Sequence, residues 1–147
     1  MIKALSEASD PVSPYRLWYN EWVSENAKGW VLDVGKSRFW DYGFPTIDTN
    51  KKLKPTFCAS IEKAPFQAET FNVVLANGIY ECVENPQIMI NEVLRILKTG
   101  GKAIFGFVGE EYKPYKKDWK YYDFKEKLPK HEIVSFNNEY HFLICTK

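Results

Sequence analysis

Residues 71–108 combine two apolar runs with a helical segment between them, and this order limits the folds that the chain can adopt. The runs at residues 71–76 and 103–108 have the length and apolar content of buried strands. Asn85-Pro86 predicts a helix start, and Gly100-Gly101 predicts the helix end at the C′ position. The expected helix face carries Ile90, Val93, Leu94 and Leu97. Two strands joined through a helix indicate a right-handed parallel crossover, which predicts an α/β fold.

The N-terminal part of the chain predicts one more helix. Ser13-Pro14 is typical of an N-cap followed by the first helical residue, and we expect this helix to end near Asn26, with Gly29 in its exit. Four aromatic residues recur at helical spacing: Tyr15, Trp18, Tyr19 and Trp22. This stripe favours packing against the core, and a roof over a ligand is the alternative.

Short apolar segments on either side of the crossover predict the remaining strands. Residues 31–34 end at a glycine and are typical of a strand buried on both faces, whereas residues 44–47 and 56–59 are weaker candidates. Residues 132–136 and 140–146 flank an Asn-Asn-Glu turn and predict an antiparallel hairpin. The sheet is therefore expected to be mainly parallel, with an antiparallel end.

The composition excludes several classes of protein. A chain of 147 residues is long enough for one core but too short for two domains, and its net charge of +1 does not favour a strongly electrostatic partner. No signal peptide and no apolar run of membrane-spanning length is present, which predicts a soluble cytoplasmic protein. Cys58, Cys82 and Cys145 lack the spacing of a disulfide framework or a metal site, so we expect buried, reduced thiols.

Three short motifs stand at compatible spacing in the central part of the chain. They are Ala64-Pro65-Phe66, Phe71-Asn72-Val73-Val74, and the E-x-x-R-x-L-K-x-G-G pattern of residues 92–101. Together they resemble the class I S-adenosylmethionine-dependent methyltransferases, in particular small members with a type 11 methyltransferase domain. The resemblance implies a Rossmann-like single domain over residues 1–147. It would comprise an N-terminal helix region (1–29), a cofactor-binding core (30–108), a lid-like segment (109–130) and the hairpin (131–147).

The resemblance also implies where S-adenosylmethionine would bind. In a doubly wound sheet, ligands lie beyond the carboxyl ends of the strands. Asp33 and Gly35 would border the methionine part of the cofactor, and Asp48 would accept hydrogen bonds from the two ribose hydroxyls. Ser60 stands where the family commonly has an acidic residue for the adenine amino group, and Ile61 would contact the adenine ring and offer its backbone N–H.

The loop after the strand at residues 71–76 would run under the transferred methyl group. It contains Asn77 and Gly78, which we include among the cofactor-binding residues. The family often continues with an acidic residue and a histidine, whereas this chain has Glu81-Cys82, so no general base is identified. No metal ligand set is predicted either.

The first part of the chain departs from the family in two ways. The family has a G-x-G-x-G loop after the first strand, because small residues let the backbone approach the ligand. Residues 35–39 keep only the first glycine, and Phe39 replaces the last one. Lys36 and Arg38 either pair with the cofactor carboxylate or are ordinary solvated side chains. The 13 positions from Gly35 to Asp48 (48 − 35) and the 12 from Asp48 to Ser60 (60 − 48) predict that the first crossover helices are shortened or missing.

These features leave three functions open. The first is methyl transfer from S-adenosylmethionine to an oxygen or nitrogen of a small molecule, such as a saccharide. The second is a degenerate, non-catalytic binding or regulatory protein. The third is an RNA-directed methyltransferase that uses the aromatic and lysine-rich residues 112–130, although such a segment more often packs on the sheet while its lysines reach solvent. The sequence does not indicate an oligomeric state.

Overall fold

A computed structural model describes residues 13–36, 41–79, 82–108, 128, 130–137 and 140–147. Two α-helices lie within these ranges, α1 (Pro14–Asn26) and α2 (Pro86–Ile96). The strands are β1 (Val31–Val34), β2 (Thr46–Asp48), β3 (Phe57–Cys58), β4 (Phe71–Asn77), β5 (Leu97–Val108), β6 (His131–Phe136) and β7 (Tyr140–Thr146).

These strands form one sheet in the order β3-β2-β1-β4-β5-β7-β6. The first five strands of that order are parallel, and β7 runs antiparallel to both β5 and β6. The predicted α/β fold, with a mainly parallel sheet and a C-terminal antiparallel hairpin, is confirmed. As predicted, β1 is buried along its whole length.

Helix α1 covers one face of the sheet. Its aromatic residues pack on β7: the rings of Tyr19 and Phe142 stack with centroids 5.4 Å apart, and those of Tyr15 and Tyr140 stack at 4.7 Å. Val31, in β1, belongs to the same buried cluster. The prediction that the aromatic stripe packs against the core is confirmed.

Helix α2 covers the opposite face with Met89, Ile90, Val93 and Ile96, which are all buried. Its N-cap is Asn85, as predicted, because the Asn85 Oδ1 atom accepts hydrogen bonds from the backbone N–H groups of Gln87 (3.0 Å) and Ile88 (3.4 Å). Such caps satisfy amides that have no partner within the helix.

The predicted end of this helix is wrong. We expected Leu97 on the helix face and Gly100-Gly101 at the C′ position, but the helix ends at Ile96 and Leu97 begins β5. Leu97 pairs with Phe71 of β4, and the register then shifts before the next pair. Gly100, with φ +83°, lies in this irregular stretch. Its left-handed backbone therefore serves a bulged strand rather than a helix end.

The motifs that carry the resemblance contact one another. The Arg95 guanidinium donates to the carbonyl oxygens of Phe66 (2.7 Å) and Ala64 (3.1 Å), and the Glu92 carboxylate accepts from the Ala64 N–H at 3.1 Å. Glu92 and Arg95 also pair with each other at 2.8 Å, which lowers the pKa of the Glu92 carboxyl. Their spacing is thus explained, because α2 holds the segment that leads from β3 into β4.

Single 3₁₀ turns replace the longer helices that would otherwise connect β2 to β3 and β3 to β4. Lys51–Leu53 is the only helical turn between β2 and β3, and Ile61–Lys63 precedes β4. Shortening of the crossover after β2 is therefore confirmed. Within the crossover after β1, residues 37–40 lie outside the described residues. The thiol prediction is correct for buried Cys145 and wrong for Cys58 and Cys82, which are exposed.

Candidate active site at the carboxyl ends of the strands

Loops that follow β1, β2 and β4 meet at one edge of the sheet. The Lys36 backbone N–H, just after β1, donates to Asp48 Oδ2 at the end of β2 (2.8 Å). A Cβ atom on Gly35 would lie 2.5 Å from the Ile79 side chain, which follows β4, and Gly35 has φ +90°. A side chain at Gly35 would thus be strained by both the backbone and the contact. The loops after β1 and β4 pack together because this position is glycine.

A cavity of about 120 Å³ opens at this edge on the α1 face. Polar groups from distant parts of the chain line it. The lining residues are Arg16 and Tyr19 of α1, Asp33, Val34 and Gly35 at the end of β1, Tyr42, and Asn77 at the end of β4. The structure therefore brings three of the predicted site residues, Asp33, Gly35 and Asn77, into one cavity.

Asp33 is the buried acidic group of this cavity, with 9% of its surface exposed. Burial is the main cause that raises the pKa of its carboxyl to about 8, and the nearby Asp41 raises it further. Lys36 and Arg16 act in the opposite direction. A carboxyl in this position is protonated over much of the neutral range and would ionise more readily next to a cationic ligand group.

Two tyrosines from different segments line the same cavity. The Tyr42 hydroxyl donates to Asn20 Oδ1 at 2.5 Å, and burial raises the pKa of Tyr42 to about 12. The Tyr19 hydroxyl is buried and has no hydrogen-bond partner among the described residues. Burial, and next the Asp33 carboxylate, raise the pKa of Tyr19. An unpartnered buried hydroxyl is costly, and a ligand atom within its reach would satisfy it.

Asp48 lies at the end of β2 with its carboxylate held in place by the backbone. Its Oδ2 accepts from the Lys36 N–H, and its Oδ1 accepts from the Asn50 N–H at 2.8 Å. A carboxylate offers about four acceptor positions, so two remain for ligand hydroxyls. This geometry fits the role predicted for Asp48.

The Lys36 ammonium pairs with Asp41, with Nζ 3.1 Å from Oδ2. The Lys36 side chain is therefore paired with a carboxylate of the protein itself. Pairing of Lys36 with a cofactor carboxylate stays a prediction, and Arg38, Ser37 and Phe39 lie outside the described residues.

A hydrogen bond fixes the Asn77 side chain at the end of β4. The Tyr140 hydroxyl donates to Asn77 Oδ1 at 2.6 Å. Gly106, the strand neighbour of Asn77 in β5, makes room for this arrangement, because a Cβ atom there would overlap Asn77 Oδ1. The Gly78 N–H donates to the Gly106 carbonyl oxygen at 2.9 Å and continues the ladder past the strand end.

Ser60 and Ile61 follow β3, next to the Asp48 loop. The Ala59 N–H donates to the Asp48 carbonyl oxygen at 3.1 Å, which joins the two segments. The Ser60 hydroxyl accepts from the Glu62 N–H at 3.2 Å and caps the 3₁₀ turn. Ile61 is buried in the core on the α2 face. Their predicted contacts with an adenine ring stay predictions.

Arg16, Tyr19, Tyr42 and Tyr140 are site residues that the sequence analysis did not identify. The aromatic stripe indicated Tyr19 as a packing residue, which is correct for its ring, but the pattern says nothing of where its hydroxyl lies. The segment at residues 109–127, which contains most of the predicted lid, and Glu81 lie outside the described residues.

A larger, more open cavity of about 320 Å³ lies at the opposite edge of the sheet. It is lined by residues near the amino ends of the strands, among them Lys28, Asn72 and Lys102. Ligands of doubly wound sheets bind at the carboxyl ends, so we place the candidate site in the smaller cavity.

The described residues contain no cluster of three potential metal ligands. No helix in the described ranges is long and apolar enough to span a membrane.

Comparison with known proteins relates this chain to methyltransferases. Residues 41–105 match a family described as a methyltransferase domain. A ubiquinone/menaquinone biosynthesis C-methyltransferase of Burkholderia multivorans is 26% identical over 125 residues, which cover 85% of this chain and 45% of that protein. An uncharacterized protein of Methanocaldococcus jannaschii is 37% identical over 87 residues, which cover 55% of this chain and 42% of that protein. The chain thus spans less than half the length of these relatives.

A solved structure shows the same fold over nearly its whole length. It is a S-adenosylmethionine-dependent methyltransferase from Thermotoga maritima, described as a possible histamine N-methyltransferase. The TM-score is 0.65 at 15% identity, and the match covers 90% of this chain and 96% of that one. The Rossmann-like methyltransferase fold implied by the sequence motifs is confirmed.

Proposed function

We propose that this chain, which belongs to the S-adenosylmethionine-dependent class I methyltransferases, binds S-adenosylmethionine at the carboxyl edge of its sheet and methylates a small molecule. The observation that carries the proposal is the Asp48 carboxylate. It lies at the end of β2, is held by two backbone N–H groups, and retains acceptor positions for two hydroxyls. The methyltransferase-domain match includes this residue.

The remaining predicted residues have roles that follow from their positions. Asp48 would orient the ribose, and Asp33 and Gly35 would border the methionine part. Asn77 and Gly78 would lie under the methyl group, while Ser60 and Ile61 would lie on the adenine side. The family's cofactor supplies an electrophilic methyl group on a sulfonium. The protein's part is then to align donor and acceptor and to exclude water, which can contribute much of the rate without a general base.

The proposed acceptor is an oxygen or nitrogen atom of a small molecule. The Burkholderia relative is described as a C-methyltransferase, so the family match alone does not identify the acceptor atom. Because Asp33 and Gly35 line the cavity and would border the methionine part, its polar lining would serve the cofactor and not the acceptor.

A non-catalytic binding protein is the second candidate, and one observation favours it. The methyltransferase-domain match begins at residue 41, after the loop of residues 35–39 that has lost two of its three glycines. Both candidates predict cofactor binding at Asp48, and only the first predicts transfer of a methyl group.

Isothermal titration calorimetry with S-adenosylmethionine and S-adenosylhomocysteine tests the proposal. We expect wild type to bind both ligands and Asp48→Ala to bind them roughly 10- to 100-fold more weakly, because two hydrogen bonds to a charged group are lost. Glu132→Ala, which removes an exposed carboxylate from β6 at the distant edge of the sheet, is the matched control and should bind like wild type. Absence of binding by wild type, or equal binding by Asp48→Ala, would contradict the proposal.

A further inference from the structure

The segment after β3 is joined directly to the loop that leads from β4 into α2. The Glu62 carboxylate accepts two backbone hydrogen bonds there, at Oε1 from the Glu84 N–H (2.8 Å) and at Oε2 from the Asn85 N–H (3.0 Å). Hydrogen bonds to an ionised acceptor are stronger than those between neutral groups. Glu62 thus holds the loop after β4 at the point where this loop ends and α2 begins.

Helix α2 does not supply this acceptor from its own residues. In a capping box, the side chain that accepts from the N-cap N–H stands three residues into the same helix. That position of α2 is Ile88, whose side chain has no acceptor atom. Glu62 accepts from the N-cap Asn85 although it stands 23 residues earlier in the chain. The start of α2 is therefore fixed relative to the turn Ile61–Lys63.

The position of Glu62 depends in turn on the two residues that we predict on the adenine side. The Ser60 hydroxyl accepts from the Glu62 N–H at 3.2 Å, and the side chain of Ile61 is 4% exposed. Ile61 packs in the same buried cluster as Val83, which belongs to the loop after β4. A ligand that contacts Ser60 and Ile61 would therefore also order the Glu62 side chain and its two amide partners.

The opposite end of the loop after β4 lies next to the loop after β1. The Ile79 side chain lies so close to Gly35 that a Cβ atom on this glycine would be 2.5 Å from it. The Cys82 N–H then donates to the Ile79 carbonyl oxygen at 2.9 Å. The loop after β4 is thus held by the loop after β1 near its start and by Glu62 at its end.

We infer that Glu62 is a positioning residue, which fixes the loop under the methyl group relative to the adenine side of the cofactor. This inference rests on the proposed function. Glu62 acts on the reaction only through the N–H groups of Glu84 and Asn85. Because a displacement of about 1 Å can slow a transfer reaction roughly 100-fold, a fixed distance between these two sides of the site favours the reaction.

Backbone amide chemical shifts of ¹⁵N-labelled protein, recorded with and without S-adenosylhomocysteine, test the inference. In wild type, the Glu84 and Asn85 amides should respond to the ligand. The Thr99 amide is an internal comparison, because it also donates to a carboxylate, that of Glu69 (3.1 Å), but lies at the amino edge of the sheet. The Thr99 amide should not respond.

Glu62→Gln is the test variant, because glutamine keeps the size of the side chain and replaces one of its two acceptor oxygens by a donor. We expect this variant to bind S-adenosylhomocysteine within about threefold of wild type. The ligand-induced changes at Glu84 and Asn85 should fall by roughly half or more. Glu69→Gln makes the same replacement in the carboxylate that accepts from Thr99, and it should respond like wild type. A purely structural role of Glu62 would lower the free energy of unfolding without altering the response to the ligand.

The outcomes separate this inference from the proposed function. If other amides at the carboxyl edge respond but those of Glu84 and Asn85 do not, the inference is overturned and the proposed function stands. The same holds if Glu62→Gln responds like wild type or no longer binds the ligand. If no amide of wild type responds at high ligand concentration, both are overturned. Should circular dichroism show that Glu62→Gln does not fold, the wild-type comparison of Glu84 and Asn85 with Thr99 decides the matter.

Discussion

Gly106 is expected to control the position of Asn77 in the candidate site. The two residues are neighbours across β4 and β5, and a Cβ atom at position 106 would overlap Asn77 Oδ1 and lie 3.0 Å from Phe142 Cε1. Gly106 is buried and does not have a positive φ, so alanine is compatible with its backbone. The effect of Gly106→Ala should therefore come from the contact with Asn77 and not from backbone strain.

The expected cost of Gly106→Ala follows from three contributions. Overpacking in a rigid core costs about 1–3 kcal/mol. Displacement of the Asn77 side chain breaks its hydrogen bond with Tyr140, which is worth about 1 kcal/mol. The smaller entropy of the unfolded alanine chain offsets about 0.5–1 kcal/mol. We expect a net loss of about 1–3.5 kcal/mol, or roughly 2–14 °C in Tm.

A double-mutant cycle measured by urea unfolding tests this reasoning. The variants are Gly106→Ala, Asn77→Ala and the double variant. With the Asn77 side chain removed, we expect Gly106→Ala to cost less than about 1 kcal/mol, because the closest overlap is gone and the contact with Phe142 is at 3.0 Å. Additive losses would refute the proposed contact, and so would a neutral Gly106→Ala. Loss of ligand affinity in the single variant would further indicate that the Asn77 position matters for binding.

Three further predictions concern the stability of the fold and the site. Because the pKa of Asp33 is raised to about 8, the folded state binds the Asp33 proton more tightly than the unfolded state does. The stabilising contribution of this group is therefore complete below about pH 4, and the free energy of unfolding falls by up to about 1.4 kcal/mol per pH unit between there and pH 8. Asp33→Asn should flatten this decline in thermal melts between pH 5 and 8, and parallel curves for wild type and variant would contradict the argument. Arg95→Met should lower the free energy of unfolding in urea by about 1–2 kcal/mol, since two hydrogen bonds to backbone carbonyls are lost. In the same variant, the pKa of Glu92 measured by NMR should rise toward its ordinary value. Asn85→Ala should cost about 1 kcal/mol through loss of the N-cap, and an unchanged urea midpoint would argue against the cap.

The parts of the fold that the sequence predicted correctly depend on local patterns. The apolar run at residues 31–34 requires burial on both faces, and Asn85-Pro86 combines a capping side chain with a preformed first helical turn. The end of α2 was not predictable in the same way. Paired glycines are compatible with a helix end and with a bulged strand, and only the distant pairing of Leu97 with Phe71 decides between them.

In the candidate site, too, local patterns predict some residues, whereas others depend on contacts between distant parts of the chain. The position of Asp48 follows from a local rule, since it ends a strand of a parallel sheet. The parts played by Tyr19 and Tyr140 depend on contacts across the fold: helical periodicity identifies the Tyr19 ring as buried but not the position of its hydroxyl. Tyr140 meets Asn77 only because β7 inserts next to β5 and Gly106 leaves room.

Backbone amide chemical shifts of ¹⁵N-labelled protein, recorded with and without S-adenosylhomocysteine, test the central claim most directly. A cofactor bound at the carboxyl edge predicts the largest changes at Gly35, Lys36 and Gly78. The larger cavity at the amino edge provides an internal comparison, since Gly100 and Lys102 should then change little. Largest changes at Gly100 and Lys102, or no changes at saturating ligand, would contradict the assignment of the site.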